Sequence, residues 1–162
     1  MGYGLKVLLP IADYEDYSVR EIHDCLINDK LWEDFGTHEF DHFSLWHMSE
    51  HNGSFFGKDD PQRLIAETEK WNKEILSDLA EELKKIVGFN KPEEIISFFQ
   101  KNEFEAFRLR EALSAFDNSF QYGGDRLVYD EAGCYTVMIP EEMMKDIKEN
   151  PQDYALIDVT YH

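Results

Sequence analysis

The 162-residue chain predicts an α+β fold, with a mostly antiparallel sheet from N- and C-terminal strands packed on a central helical block. Apolar residues alternate with a period of two near both ends, as half-buried strands require. Between them runs a long block with helical periodicity. Segregation of strands and helices along the chain is the pattern of α+β domains rather than of alternating βαβ units. The length suits one domain over 1–162, and no repeat or long linker argues for two.

Tyr3, Leu5, Val7, Leu9 and Ile11 alternate with other residues, so a strand opens the chain. Pro10 lacks a ladder donor and should end it or place it at an edge. Asp13–Tyr17 (DYEDY) is an acidic, aromatic connector. Ser18 and Glu21 then stand in capping-box spacing, predicting a helix from about Val19 to Asn28, with Trp32 allowing continuation to Asp34. Gly36–Gly57 fits either period. Asn52-Gly53 suits a type I′ turn, which favours a strand before it and a short strand after.

The clearest helix spans Pro61–Val87. Asp60 can cap it, Pro61 suits its first position, and Leu64, Trp71, Ile75, Leu79, Leu83 and Ile86 form one apolar stripe. Glu69–Lys73 and Glu81–Lys85 are favourably spaced pairs, Lys84 and Lys85 suit the last turn, and Gly88 is the expected stop. A helix from about Pro92 should bury Ile95, Ile96, Phe98 and Phe99. Another, near Glu103–Phe116, carries Phe104, Phe107, Leu113 and Phe116, and Gly123-Gly124 ends the block. Leu127–Tyr129 and Cys134–Ile139 read as a hairpin about residues 130–133. Pro140–Glu149 reads as a short amphipathic helix with Met143 and Met144 as core filler, and Ala155–Tyr161 as the last strand.

Charge narrows the function. Thirty-four acidic against 16 basic residues leave a net charge of −18. A direct nucleic-acid binder or a protein docking on anionic lipid would need the opposite balance. The excess is uneven: residues 1–60 hold 13 acids and 4 bases, residues 121–162 hold 9 and 3, and residues 61–120 nearly balance at 12 and 9. No apolar run reaches the roughly 18 residues of a membrane span, and the start of the chain has neither a secretory signal nor a myristoylation pattern. Cys25 and Cys134 read as reduced, packed thiols, and the expected location is cytoplasmic.

Chemical motifs are few. His38-Glu39-Phe40-Asp41-His42 matches H-E-x-x-H, in which two His one helical turn apart bind zinc and the Glu acts as base. That chemistry needs a helix. On a strand the two His would lie roughly 13 Å apart. The extended pattern would place a third His six residues after His42, where Met48 stands; on a helix His47 and His51 would lie on nearly the opposite face. The expectation is therefore no metal. A zinc-dependent hydrolase, with His38 and His42 as ligands and Glu39 as base, is an alternative. The paired acids, Glu93/Glu94 and Glu141/Glu142 among them, suit helix starts better than a shared site. Tyr122–Asp125 is a turn, not a phosphate cradle, and no G-x-S-x-G elbow occurs.

The remaining cluster is Asp13, Tyr14, Glu15, Asp16 and Tyr17, with Glu33 and Asp34 nearby. Aromatics among carboxylates suit an interface with a basic protein, the rings as anchors and the acids steering approach. In size and charge alone the chain resembles small acidic phage or bacterial inhibitors. These include nucleic-acid mimics of the anti-restriction or anti-CRISPR type and immunity proteins of nuclease toxins. The expectation is a non-enzymatic binding or inhibitor protein whose partner is a basic surface, such as that of a nucleic-acid-binding enzyme. An intracellular domain whose acidity only maintains solubility is the other alternative.

Overall fold

A computed structural model describes residues 3–28, 53–116, 127–130 and 136–161. Two eight-residue strands, β1 (Tyr3–Pro10) and β4 (Tyr154–Tyr161), pair antiparallel along their whole length, from Tyr3 opposite Tyr161 to Pro10 opposite Tyr154. The short strand β2 (Phe55–Phe56) joins β4, and β3 (Leu127–Asp130) joins β1, both antiparallel. The order is β2-β4-β1-β3, so strands from opposite ends of the chain form the centre of the sheet. The fold is α+β, as the alternation at both ends predicts.

Val7, Leu8 and Leu9 are all buried, as are Tyr154 to Ile157, so the central strands are covered on both faces. Cross-strand register sets Leu8 beside Leu156 and Leu127, and Leu156 beside Phe55. This face packs against the long helix α2 (Pro61–Lys84) and the short helix α5 (Glu141–Glu149) through Leu64, Trp71, Ile75 and Ile147, with Met143 and Met144 at the margin. Val7, Leu9, Phe56, Ala155 and Ile157 fall outside that cluster. Helix α1 (Val19–Asn28) lies against β4 with Ile22 fully buried. Sequence patterning predicts the helical block on one face; α1 on the other follows from the apolar residues there.

Local chemistry sets the boundaries. The Glu21 amide donates to Ser18 Oγ at 3.1 Å, and the Ser18 amide to Glu21 Oε2 at 3.2 Å, so the capping box opens α1. Asp60 Oδ1 accepts from the Arg63 amide at 3.2 Å and Pro61 takes the first position of α2. The expected continuation of α1 past Asn28, the strand before Asn52-Gly53 and the turn at Gly123-Gly124 lie outside the described residues.

Five expectations need correction. First, α2 ends at Lys84 rather than Val87, and Gly88 does not adopt the left-handed conformation. The helix closes instead by tight turns such as the Ile86 amide on the Leu83 carbonyl at 3.1 Å. Second, its stripe is buried only as far as Ile75, and Leu83 is exposed. Twenty-four helical residues span about 36 Å, against about 27 Å for an eight-residue strand, so α2 outruns the sheet.

Third, neither predicted ion pair of α2 forms. Lys148 on α5 takes Glu69 at 3.1 Å, Glu81 pairs with Lys84, and Lys85 reaches both Glu82 and Glu105. Partners on neighbouring helices and at i,i+3 prevail, and such exposed pairs contribute little either way. Fourth, residues 136–139 belong to no strand, so the hairpin with β3 is absent among the described residues. The Met138 amide donates to the Ala115 carbonyl at 2.9 Å, and α2 side chains meet backbone groups of Val137 and Ile139. Trp71 Nε1 donates to the Val137 carbonyl at 2.9 Å, while the Asn72 side chain donates to the Ile139 carbonyl and accepts from its amide, both at 2.9 Å.

Fifth, helix α3 (Pro92–Lys101) buries none of its residues fully, and Ile96 is exposed. Phe98 instead joins Phe89 and Phe99 in a local aromatic cluster, with ring centroids 5.6 and 5.2 Å away. Helix α4 (Glu105–Ser114) follows and lies along α2.

Candidate functional site

Because β4 runs against both β1 and β2, three connections meet at one end of the sheet: the segments after β1 and after β2, and the segment entering β4. The Ile11 amide donates to the Asp153 carbonyl at 3.0 Å, and the Gly57 amide to the Tyr154 carbonyl at 2.8 Å. These bonds join three acidic pieces of sequence: Asp13, Glu15 and Asp16 from the first, Asp59 and Asp60 from the second, Asp153 from the third. All six residues are exposed. None forms an ion pair among the described residues; Asp60 also caps α2. Lys58 is the one basic residue in these pieces, and its ammonium lies 5.0 Å from the centre of the Phe56 ring.

The connector itself is a 3-10 turn, Ala12–Tyr14, carried on by the Tyr17 amide donating to the Tyr14 carbonyl at 3.0 Å. Tyr14 is half-buried and Tyr17 exposed, with their rings edge to face at 5.6 Å. The aromatic pair is therefore interleaved in sequence with the connector carboxylates Asp13, Glu15 and Asp16. The capping box at Ser18 ends the connector, so turn and cap together fix its path.

Of the residues singled out from sequence, Asp13, Tyr14, Glu15, Asp16 and Tyr17 come together here. Glu33, Asp34, His38, Glu39 and His42 lie outside the described residues. Among the described residues no three His, Cys, Asp or Glu side chains are grouped to hold a metal ion. Cys25 is a half-buried free thiol. Sequence reasoning missed the convergence of Asp59, Asp60 and Asp153 on the connector. The signal was present in the antiparallel pairing of end strands, which brings whatever follows the first strand beside whatever precedes the last.

A second acidic feature is a cleft of about 280 Å³ between α2, α4 and β3, rimmed by Asp78, Glu81, Glu82 and Glu111 with Arg108 beside them. Near it, Lys85 bridges α2 to α4, with Nζ 2.8 Å from Glu105 Oε2 and 3.1 Å from Glu82. These hydrogen bonds raise the Lys85 ammonium above its ordinary pKa, and Lys85 lowers the Glu105 carboxyl below its own. The group is a structural tie between helices. No family model, curated protein or solved structure matches the chain. No helix of the described residues is long and apolar enough to cross a membrane.

Proposed function

We infer that the chain is a small non-enzymatic binding protein that inhibits by filling the basic, nucleic-acid-binding surface of a partner protein. The observation that supports this most directly is that six exposed carboxylates from three separate pieces of sequence, one of which carries the Tyr14–Tyr17 pair, lie at one end of the sheet. Carboxylates that form no ion pair among the described residues can meet a partner's lysines and arginines, and the overall charge of −18 draws such a partner in. An aromatic pair within the patch supplies the desolvated anchor that charge alone does not.

The test uses a panel of non-specific DNA nucleases with basic active-site grooves. A labelled DNA duplex is bound to each, and its displacement by the protein is followed by fluorescence anisotropy. Displacement from at least one member, weakening steeply between about 50 and 500 mM salt, is the expected result. Displacement that is indifferent to salt, or unchanged when Asp13, Glu15, Asp16 and Asp153 are converted to their amides, would overturn this function.

A further inference from the structure

Helix α4 docks on the rest of the protein with little apolar contact. From Leu76 on α2 to Ser114 on α4 no residue is buried, whereas Val7–Leu9 and Tyr154–Ile157 of the sheet all are. Phe104, Phe107 and Leu113 are the large apolar residues a firmly docked helix would hide, yet they are 70, 50 and 48% exposed. Leu109 and Ala112 are half-buried, and Ala115, just past the helix, is buried. One leucine and two alanines bury far less apolar area than the sheet residues do.

The packing beneath α4 is also incomplete. A cleft of about 280 Å³ lies between α4, α2 and β3, and side chains across such a gap lose their dispersion contacts. Arg108, Glu111 and Ala112 of α4 line it together with Ile75 of α2 and Tyr129 of β3. Polar ties hold α4 near its two ends. At the start, Lys85 Nζ lies 2.8 Å from Glu105 Oε2 and 3.1 Å from Glu82 Oε1, each side chain being a third exposed or less. At the far end the Met138 amide donates to the Ala115 carbonyl at 2.9 Å. A ten-residue helix released from these ties is too short to persist in water. Opening here gives up much less than opening the eight-residue β1–β4 ladder. We propose that α4 is a gate clasped by Lys85, which undocks and melts as a unit while β1, β4 and α2 stay folded, opening the cleft and uncovering Ile75 and Tyr129.

Native-state hydrogen exchange of the full chain, read residue by residue by NMR in up to about 2 M urea, tests this. Amides from Leu109 to Ser114 should exchange at least about 100-fold faster than those of Leu8 and Leu156. Their opening should respond to urea with a slope above zero but well below that of the sheet amides, because the slope follows the surface exposed. Lys85→Met should speed exchange in α4 about threefold and leave Leu8 and Leu156 unchanged. One shared rate and slope for α4 and the sheet would mean a single cooperative unit. A zero slope in α4 would mean amides that fluctuate one by one. Either result overturns the gate, as does a Lys85→Met variant that leaves α4 unmoved or speeds α4 and the sheet equally.

Discussion

Ile11 and Asp153 are separated by most of the chain, yet the Ile11 amide donates to the Asp153 carbonyl at 3.0 Å. The bond continues the β1–β4 ladder one step past Pro10 and Tyr154, and it places the acids of the connector beside the acid that precedes β4. If the patch acts as one unit, Asp153 should matter to a partner as the connector acids do. Neutralising Asp13, Glu15, Asp16 and Asp153 together should lower the association rate with a basic nuclease about tenfold and leave dissociation nearly unchanged, because rim charges act on encounter. Converting Glu93 and Glu94 on α3 to glutamine removes two charges outside these three segments and should change neither rate by more than about twofold. Stopped-flow kinetics of both variants at low salt checks this, and equal effects from the two would show that only net charge matters.

Gly57 holds the second acidic piece in place. Its amide is bonded to Tyr154, and a Cβ built there would run into the Pro151 carbonyl and a Leu64 methyl. The backbone of this turn lies against the Pro151–Asp153 turn only because no side chain intervenes. Gly57→Ala should therefore destabilise the protein by about 2 kcal/mol or more, since the obstruction is backbone and cannot swing aside. Urea unfolding gives the number. A loss below about 0.5 kcal/mol would mean that the two turns can separate freely.

Trp71 and Asn72 replace a missing strand. Residues 136–139 follow a pattern that suits a hairpin, but the Val137 carbonyl and both backbone groups of Ile139 bond to side chains of α2, with Ile139 held by both ends of the Asn72 amide. Asn72→Ala should leave a donor and an acceptor of Ile139 unpaired and lower stability by about 2–3 kcal/mol. Asn72→Asp keeps the acceptor but loses the donor, and should fall between that variant and the native chain. Unfolding by denaturant, with hydrogen exchange at the Ile139 amide, separates local fraying from global loss.

The features legible in the sequence are those governed by neighbours along the chain. Ser18 and Glu21, and Asp60 with Pro61, mark helix starts because a cap involves only the next few residues. End-strand alternation was also readable, though Val7–Leu9 of β1 and Tyr154–Ile157 of β4 proved buried on both faces. What patterning did not show is which direction an apolar stripe faces. Leu83 and Phe107 have the spacing of core residues, yet both are exposed, Leu83 because α2 outruns the sheet. Nor could period-two alternation at 134–139 reveal that Asn72 would take the place of a strand. Of the candidate site, the connector was visible as composition, while Asp59, Asp60 and Asp153 join it only through strand order.

Asp146 makes acid stability testable at one residue. The Tyr154 hydroxyl donates to its carboxylate at 2.6 Å and the Asn150 amide at 2.9 Å. The tyrosine, then the asparagine, hold this carboxyl below its ordinary pKa, against a smaller upward push from burial. A depressed folded value means that the unfolded chain binds the proton more tightly. The stabilisation is therefore fully present above the unfolded aspartate value of about 3.9 and is lost as pH falls through the lower folded value. Tyr154→Phe should raise the Asp146 pKa in a carboxyl-carbon NMR titration and flatten the fall in stability over that acid range. Asp146→Asn should remove this contribution altogether. An Asp146 pKa unmoved by Tyr154→Phe would show that the asparagine bond alone sets it.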